Sequence, residues 1–287
     1  MKRIFLSLFS VISVTAFAQT TMFSQAIVTT KTTIISSEED NPPPQMAGGN
    51  GEEVRVMRFG GDGETKSVTT LKGDMVKTFS ESEMGRTTIL RDNKNKKTTT
   101  LMEMMGNKFG FYATDEEQEQ MNKEMDSLMK SRRQDGANAF GSGNNTPPTF
   151  EVVNAEGTKK IAGYQCKQAM IIRTRGNGKK DTTMVWYNPE VKLQGLVSTG
   201  GAGGGMGSFM RNTGLGGLDK LEGFPMQYES QMGPTRKMIV EVTKLVTDKE
   251  IADKEFDIPK DFNVKPAKEM QGMGPGGGRG FQIRVGG

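Results

Sequence analysis

The stretch Gly157-Thr158-Lys159-Lys160-Ile161-Ala162-Gly163-Tyr164-Gln165-Cys166-Lys167-Gln168-Ala169-Met170-Ile171-Ile172-Arg173-Thr174 decides the fold. It predicts a short strand, a bend at Gly163 and a long strand. From Tyr164 on, the side chains divide into two faces. One face carries an apolar row of Tyr164, Cys166, Met170 and Ile172, and the other is mostly Gln165, Lys167 and Arg173. We expect the apolar row to lie on a core or a cavity and the polar row to meet water.

The first residues have the pattern of a secretory signal. Lys2 and Arg3 precede a nearly continuous apolar run over residues 4–16, and Ala16-Phe17-Ala18 supplies the small residues that a signal peptidase accepts. The sequence predicts a signal peptide over residues 1–18, cleaved between Ala18 and Gln19; the alternative is a retained N-terminal anchor. With no cysteine at this site we expect an exported protein, periplasmic or secreted, with neither an N-terminal lipid nor a membrane span after cleavage.

The chain holds a single cysteine, Cys166. A lone cysteine cannot form an internal disulfide, so it is either buried as a small apolar residue or exposed and reactive. Its place beside Tyr164 and Met170 favours burial. Folding therefore depends on a hydrophobic core, although the apolar content is only 34% and the 37 glycines indicate much loop.

The chain between the signal and residue 266 is predicted to form one β-rich domain. Its first half covers residues 26–134, a linker rich in glycine and proline covers 135–149, and the second half covers 150–266; a glycine-rich tail, 267–287, is predicted to be disordered. Short alternating runs separated by turn residues predict an antiparallel meander. The predicted strands of the first half are 26–35, 53–59, 66–71, 75–80, 87–91, 97–103 and 108–113.

One helix is predicted between the two halves, over residues 115–133. Thr114 and Glu117 have the spacing of a capping box, and acidic residues fill the first turn. An apolar stripe at helical spacing follows. It consists of Met121, Met125, Leu128 and Met129.

The second half is predicted to consist of hairpins. The long strand returns over 181–187, where Met184 and Trp186 lie on one face and Val185 and Tyr187 on the other. A glycine-rich stretch over 195–217, with one short helix around residues 208–212, leads to a second hairpin of 223–231 and 236–247. Residues 249–266 close the domain with Phe256, Ile258 and Phe262.

Composition excludes several kinds of chemistry. The chain has no histidine, which removes Ser-His-Asp and Cys-His catalysis and most zinc and copper sites. No carboxylate pair has a telling spacing, because the acids at 115–119 are better explained by helix capping. The 38 basic and 34 acidic residues are well mixed, without the basic stripe and interleaved aromatics of a nucleic-acid binder. We expect no enzyme activity, no cofactor and no nucleic-acid partner.

The methionine count of 21 is high. Thioethers bind Cu(I), so the cluster Met102, Met104 and Met105 could hold copper. The alternative, which the helical stripe favours, is that methionine fills core gaps and lines an adaptable apolar surface. We therefore predict no metal site. The glycine runs at 200–207 and 272–277 have neither the lysine nor the strand-to-helix context of a phosphate cradle.

Several short motifs together resemble a known family. Ile161-Ala162-Gly163-Tyr164-Gln165-Cys166 is followed by Trp186, by Gly223-Phe224-Pro225 and by Phe256-Asp257-Ile258-Pro259. This order is similar to that of the secreted bacterial family called domain of unknown function 4412. The resemblance implies a lipoprotein-carrier-like fold, which is an unclosed antiparallel barrel with helices over its concave face and an apolar cavity. The family has no established enzyme activity, so the resemblance implies an architecture more than a function.

The fold class predicted is thus mainly β with one or two helices, an α+β protein whose curved antiparallel sheet carries the helix across its concave side. The function predicted is a non-enzymatic periplasmic binding protein for a lipid, an acyl chain or an apolar segment of an envelope protein. The alternative is a structural or protein-interaction module of the envelope without a small-molecule pocket. The predicted ligand-binding residues are Tyr164, Met170, Ile172, Met184 and Trp186 of the sheet and Met121, Met125 and Met129 of the helix.

Overall fold

The structure, a computed structural model, describes residues 21–36, 63–82, 85–134, 148–194, 217–231 and 235–270. Five of the sequence predictions lie wholly or mostly outside these ranges. They are the signal peptide 1–18, the strand 53–59, the linker 135–149, of which only 148 and 149 are described, the short helix around 208–212 and the tail 267–287, of which only 267–270 are described.

The described residues contain fourteen strands and one long helix. The strands are β1 Thr21–Phe23, β2 Gln25–Ser36, β3 Gly63–Lys72, β4 Met75–Ser82, β5 Gly85–Asp92, β6 Lys97–Met104, β7 Asn107–Thr114, β8 Thr149–Ile161, β9 Tyr164–Thr174, β10 Lys180–Asn188, β11 Val191–Leu193, β12 Phe224–Gln231, β13 Arg236–Val246 and β14 Asn263–Pro266. The long helix, α1, is Asp115–Gln134, and a single helical turn, α2, is Ala267–Met270.

Twelve strands form one sheet in the order β14-β7-β6-β5-β4-β3-β2-β13-β12-β10-β9-β8, while β1 and β11 pair by themselves. All neighbours in the large sheet are antiparallel except β14 and β7, which are parallel. The strand order ends at β14 on one side and β8 on the other, so this sheet is unclosed. The prediction of a mainly β protein with a large antiparallel sheet and one or two helices is confirmed. The prediction that the tail is disordered from residue 267 on is wrong for its first four residues. Pro266 ends β14, and Ala267–Met270 then form a helical turn.

Three apolar clusters hold the sheet together. The first gathers residues from β2, β3, β9, β11 and β13 around Leu71 and Cys166, both fully buried. The second surrounds Ile171 and Met238, which are also fully buried. The third joins Leu90 and Leu101 of the meander to the C-terminal segment. Burial of this apolar area, at about 25 cal/mol per Å², is the main favourable contribution to folding.

Residues 247–266, which we call the C-terminal strap, cross one face of the meander. Ile251 and Phe256 are buried against Leu90 and Leu101. Three lysines of the meander bind the strap. Lys72 Nζ donates to Asp253 Oδ1 at 2.5 Å and Lys108 Nζ to Asp261 Oδ2 at 2.6 Å. Between them, Lys77 Nζ donates to the carbonyl oxygen of Glu255 at 2.8 Å. The strap then ends in β14 at the edge of the sheet.

A buried asparagine organises the corner where β10 ends. Asn188 is 2% exposed, and its Nδ2 donates to the carbonyl oxygen of Gln165 at 2.8 Å. Its Oδ1 accepts from the backbone N–H of Glu190 at 3.0 Å and of Val191 at 2.9 Å. The side chain therefore joins β9 to the turn that leads into β11. Gly223 packs against the same corner, where a Cβ atom would lie 2.2 Å from the Asn188 carbonyl oxygen.

The helix α1 begins with the predicted capping box. The backbone N–H of Thr114 donates to Glu117 Oε2 at 2.9 Å, and the backbone N–H of Glu117 donates to Thr114 Oγ1 at 3.2 Å. Arg91 of β5 fixes the first turn, because its two terminal nitrogens donate to Asp115 Oδ1 and Oδ2 at 2.5 and 2.8 Å. This bidentate pair ties the helix to the meander.

Asp115→Asn is expected to destabilise the protein by about 1–2 kcal/mol at pH 7. The hydrogen bond from Arg91 holds the pKa of Asp115 below its ordinary value of 3.8. A carboxylate with a lowered pKa stabilises the fold above the pKa of the unfolded state, and this contribution is lost as the pH falls through the folded pKa. Urea unfolding at pH 7, 4 and 3 should show the difference between the two proteins shrinking. Glu116→Gln, an exposed neighbour, is the control, and a difference that is constant with pH would contradict the assignment.

Candidate functional site

The hairpin of β8 and β9 builds the candidate site. Ala162 and Gly163 form its turn with φ angles of 48° and 90°, which is the positive φ that a two-residue hairpin turn requires at both positions. Ile161 and Tyr164 face each other across the turn. Ile161 is buried in the first cluster and Tyr164 packs against it. The short strand, bend and long strand predicted from the sequence are therefore present.

Cys166 is fully buried in the first cluster, as predicted. Its S–H donates to the carbonyl oxygen of Tyr164 at 3.4 Å. Burial raises the pKa of the thiol above its ordinary value. A buried thiol of raised pKa has little thiolate, which is the nucleophilic form.

We expect Cys166 to react slowly with a thiol reagent such as dithionitrobenzoate in the folded protein. The chain has no other cysteine, so the colour released reports on this position alone. The same reagent added in 6 M guanidinium gives the rate for an accessible thiol, and the folded protein should react at least about 100-fold more slowly, because reaction awaits opening of the core. Equal rates in the two conditions would show that the thiol is accessible.

The buried row of β9 differs from the predicted one beyond Cys166. The structure buries Ala169 and Ile171, whereas Met170 and Ile172 stay partly exposed on the other face. The adjacent isoleucines make either row apolar, so periodicity alone cannot choose between them. The neighbouring strand β10 decides which row is buried. Its residue Val185 lies opposite Ala169, and both belong to the second cluster.

The five predicted sheet residues share the face of β9 and β10 opposite this cluster. Met184 lies opposite Met170, which in turn lies opposite Val153 of β8. Trp186 follows two residues after Met184, and Ile172 two after Met170. All are partly exposed. We call Val153, Met170, Ile172, Met184 and Trp186 the outer strip. Tyr164 lies on the same face of β9, and both Tyr164 and Trp186 pack against the first cluster.

One end of the outer strip is formed by the indole of Trp186. A Cβ atom on Gly157 would lie 3.3 Å from Trp186 Cη2, so the missing side chain leaves room for the ring. The pairing of β8 with β9 shifts between Ala155 and Thr158 at this point. The Lys159 ammonium lies 5.7 Å from the indole centroid and donates to Gln227 Oε1 at 2.6 Å. The strip thus has a polar, positively charged rim.

The strip reaches the edge strand β8 at Val153, and β8 is the last strand of the large sheet in the part of the chain that the structure describes. The outer backbone groups of an edge strand can pair with another extended chain. Exposed charges interrupt the apolar residues of β8 at Glu151, Glu156, Lys159 and Lys160.

The helical residues of the predicted pocket lie on α1. Met121 is partly buried, and Met125 and Met129 lie on α1, although their side chains fall outside the described part. The helix starts at the end of β7 and packs against it. Seven strands, from β6 to β12 in sheet order, separate β7 from β10.

Two of the depressions on the described surface are lined by residues other than the outer strip. One, of about 290 Å³, is bordered by Phe79, Leu101 and Phe262. The other, of about 140 Å³, lies between Asn154, Tyr187 and Leu221. Sequence reasoning missed both, because they form between strands whose pairing cannot be read from periodicity.

Further features of the described residues bear on chemistry. No three acidic or cysteine side chains in the described ranges come together as metal ligands. No described helix has the length and apolar character needed to cross a membrane. Burial raises the pKa of Tyr228 and of Tyr187, with Glu222 adding to the effect at Tyr187.

The comparisons with known proteins identify one family and two distant structures. The model of the family described as domain of unknown function (DUF4412) matches residues 62–262, more than two thirds of the chain. No curated protein matches. The structure of PNGF-II in a C2 space group is 14% identical, covers 85% of this chain and 32% of that one, and has a TM-score of 0.37; this chain thus spans about a third of its length. A putative outer membrane lipoprotein-sorting protein domain from Vibrio parahaemolyticus is 7% identical, covers 82% of this chain and 89% of that one, and has a TM-score of 0.27. Neither similarity bears on the function of this chain.

Proposed function

We propose that this chain, which belongs to the DUF4412 family, is an exported, non-enzymatic binding protein of the cell envelope that holds an apolar ligand on the outer strip. The observation that carries the proposal is the partial exposure of Met170, Ile172, Met184 and Trp186 on one face of β9 and β10. Four large apolar side chains next to one another, three of them flexible or aromatic, form an adaptable binding surface. Export is supported by the residues before Gln19.

The absence of enzyme activity is part of the proposal. The chain has no histidine to act as a general base, and its one thiol is fully buried. The Tyr187 hydroxyl, 3.4 Å from Asn154 Oδ1, has a raised pKa and is neutral at physiological pH. The groups on the outer strip can bind and orient a ligand, but none of them can transfer a proton.

The ligand classes that suit the strip are a lipid or acyl chain and an apolar segment of an envelope protein. An acyl chain would lie across Met170 and Met184, with its polar end toward Lys159, which is exposed at the rim. An extended polypeptide would add its backbone to β8 and place alternate apolar side chains on Val153 and Met170. In both cases the buried surface is apolar.

A second candidate function is a protein-interaction module with no small-molecule ligand. The observation that favours it is that the two depressions described above are lined by residues outside the strip. The strip's extension onto the edge strand β8 favours a partner that contributes a strand. In this second function the residues of the outer strip would contact a protein instead of a small apolar ligand.

Native mass spectrometry of the mature protein, purified gently from the periplasm and followed by organic extraction, distinguishes the two. A stoichiometric apolar molecule bound to the wild type and lost in Met184→Glu establishes the first function. The control is Met22→Glu, the same change at a methionine that is 65% exposed on β1. An unliganded wild type that takes up no added fatty acid would exclude the lipid ligand and leave the protein-interaction module.

A further inference from the structure

The larger depression lies on the meander, between strands β4, β5 and β6 and the C-terminal strap. Its volume is about 290 Å³, near the lower end for small-ligand sites, which begin at about 300 Å³. It is separate from the outer strip, and its function does not depend on the function proposed for the strip. The residues that line it are Phe79, Glu81, Arg86, Thr88, Leu101, Glu103 and Phe262.

The sheet register divides the lining into two rows. Phe79, Thr88 and Leu101 lie directly opposite one another on β4, β5 and β6, and they form an apolar floor. Phe262 of the strap closes one side, and Lys108 holds it in place through Asp261, with its ammonium 5.8 Å from the Phe262 ring. Apolar walls on two sides favour an apolar ligand body.

The next row of the same face carries charge. Glu81, Arg86 and Glu103 lie directly opposite one another, two residues along each strand from the apolar row. Arg86 Nε donates to Glu81 Oε1 at 2.9 Å. The row therefore contains two carboxylates and one guanidinium, which leaves one negative charge at the mouth of the depression.

Glu103 is the carboxylate of this row without a close ion pair, although it interacts electrostatically with Arg86 and Lys108. Lys108 lies opposite it in the ladder with β7, but the Lys108 ammonium bonds to Asp261 on the strap. Within the described ranges, no lysine or arginine nitrogen lies within 4 Å of the Glu103 carboxylate. Glu103 is also only partly exposed. A half-buried carboxylate beside an apolar depression attracts a positively charged group.

From this juxtaposition we infer a binding site for an organic cation, with an apolar body between Phe79, Leu101 and Phe262 and an ammonium or guanidinium group on Glu103. Two aromatic rings in the lining add a further attraction for a cation. The volume suits a body of roughly six carbon atoms. The same chemistry is found in a free alkylamine and in the side chain of a lysine within a polypeptide.

Calorimetric titration of the mature chain with n-hexylammonium, n-hexanoate and n-hexanol tests the site. The ammonium is expected to bind about tenfold more tightly than the carboxylate, which Glu103 and Glu81 repel. Glu103→Gln should remove that preference while leaving the melting temperature unchanged. Glu124→Gln, an exposed carboxylate on α1, is the matched control and should keep it.

A capped Leu-Lys dipeptide then separates the two sources of the cation. Tighter binding of the dipeptide assigns the site to a polypeptide lysine, and tighter binding of hexylammonium assigns it to a free amine. Leu101→Phe, which fills the floor, should weaken both. The inference is overturned if hexylammonium and hexanoate bind equally, if neither binds, or if Glu103→Gln keeps the preference for the cation.

Discussion

Replacement of Gly223 by alanine is expected to lower the free energy of unfolding by about 4 kcal/mol. A Cβ atom at this position would lie 2.2 Å from the carbonyl oxygen of Asn188 and 2.8 Å from Cα of Pro189. Both are backbone atoms of the corner that ends β10, so no side-chain rotation can relieve the collision. Either β12 or the corner has to move, and both carry residues of the apolar clusters. Urea unfolding followed by circular dichroism measures the loss.

Gly73→Ala is the matched control. Gly73 has a φ of +56°, but a Cβ atom added there would have no neighbouring atom within 4 Å, so alanine brings backbone strain of about 1 kcal/mol without a collision. The Gly223 variant should therefore be several times more destabilised than the control. Equal losses in the free energy of unfolding for the two variants would contradict the close approach of the Gly223 backbone to the corner.

Asn188→Ala is expected to cost about 3 kcal/mol. The side chain is 2% exposed and makes three hydrogen bonds, to the backbone of Gln165, Glu190 and Val191. Alanine leaves the Gln165 carbonyl oxygen and two N–H groups without these partners, and each such group costs about 1–3 kcal/mol if it is buried and no water replaces the partner. Thermal unfolding of the variant and the wild type gives the difference.

Asn154→Ala serves as the control for an asparagine outside this corner. Asn154 is exposed on β8, and its Oδ1 accepts one long hydrogen bond from the Tyr187 hydroxyl at 3.4 Å. We expect it to cost less than about 1 kcal/mol. An Asn188 variant as stable as the Asn154 variant would show that the corner does not depend on these three hydrogen bonds.

Much of the architecture could be predicted because local signals agree with the fold. Strands β3 to β7 each contain the predicted run and extend it by at most three residues at either end. Turn residues separate them, and the capping box at Thr114 starts α1 as expected. These features depend on interactions between residues close together in the chain, so a single sequence is enough to predict them.

Other features depend on which segments meet. Periodicity could not show that Ile171 rather than Ile172 is buried, because Val185 and Tyr228 decide it from other strands. The strap's position over the meander depends on lysines far away in sequence, Lys72 and Lys108. Nothing in the sequence around Glu103 indicates that it lines the same depression as Phe262. Long-range pairing of this kind is invisible to a window of neighbours.

The family motifs belong to the architecture. Ile161 and Cys166 belong to the first cluster, and Phe256 of the strap is buried in the third. Gly223 lacks a Cβ atom where one would collide with the Asn188 carbonyl oxygen. Trp186 packs against the first cluster and remains partly exposed on the outer strip. It is therefore a motif residue that a ligand could touch.

Trp186 is the sole tryptophan of the chain, so its fluorescence tests the central claim directly. Titration of the mature protein with a fatty acid brominated along the chain should quench the Trp186 emission, because bromine quenches only at contact distance. The unbrominated acid should not quench it. Met184→Glu should lose the effect and Met22→Glu should retain it. An acid that binds by calorimetry but leaves the emission of Trp186 unquenched would contradict binding on the outer strip.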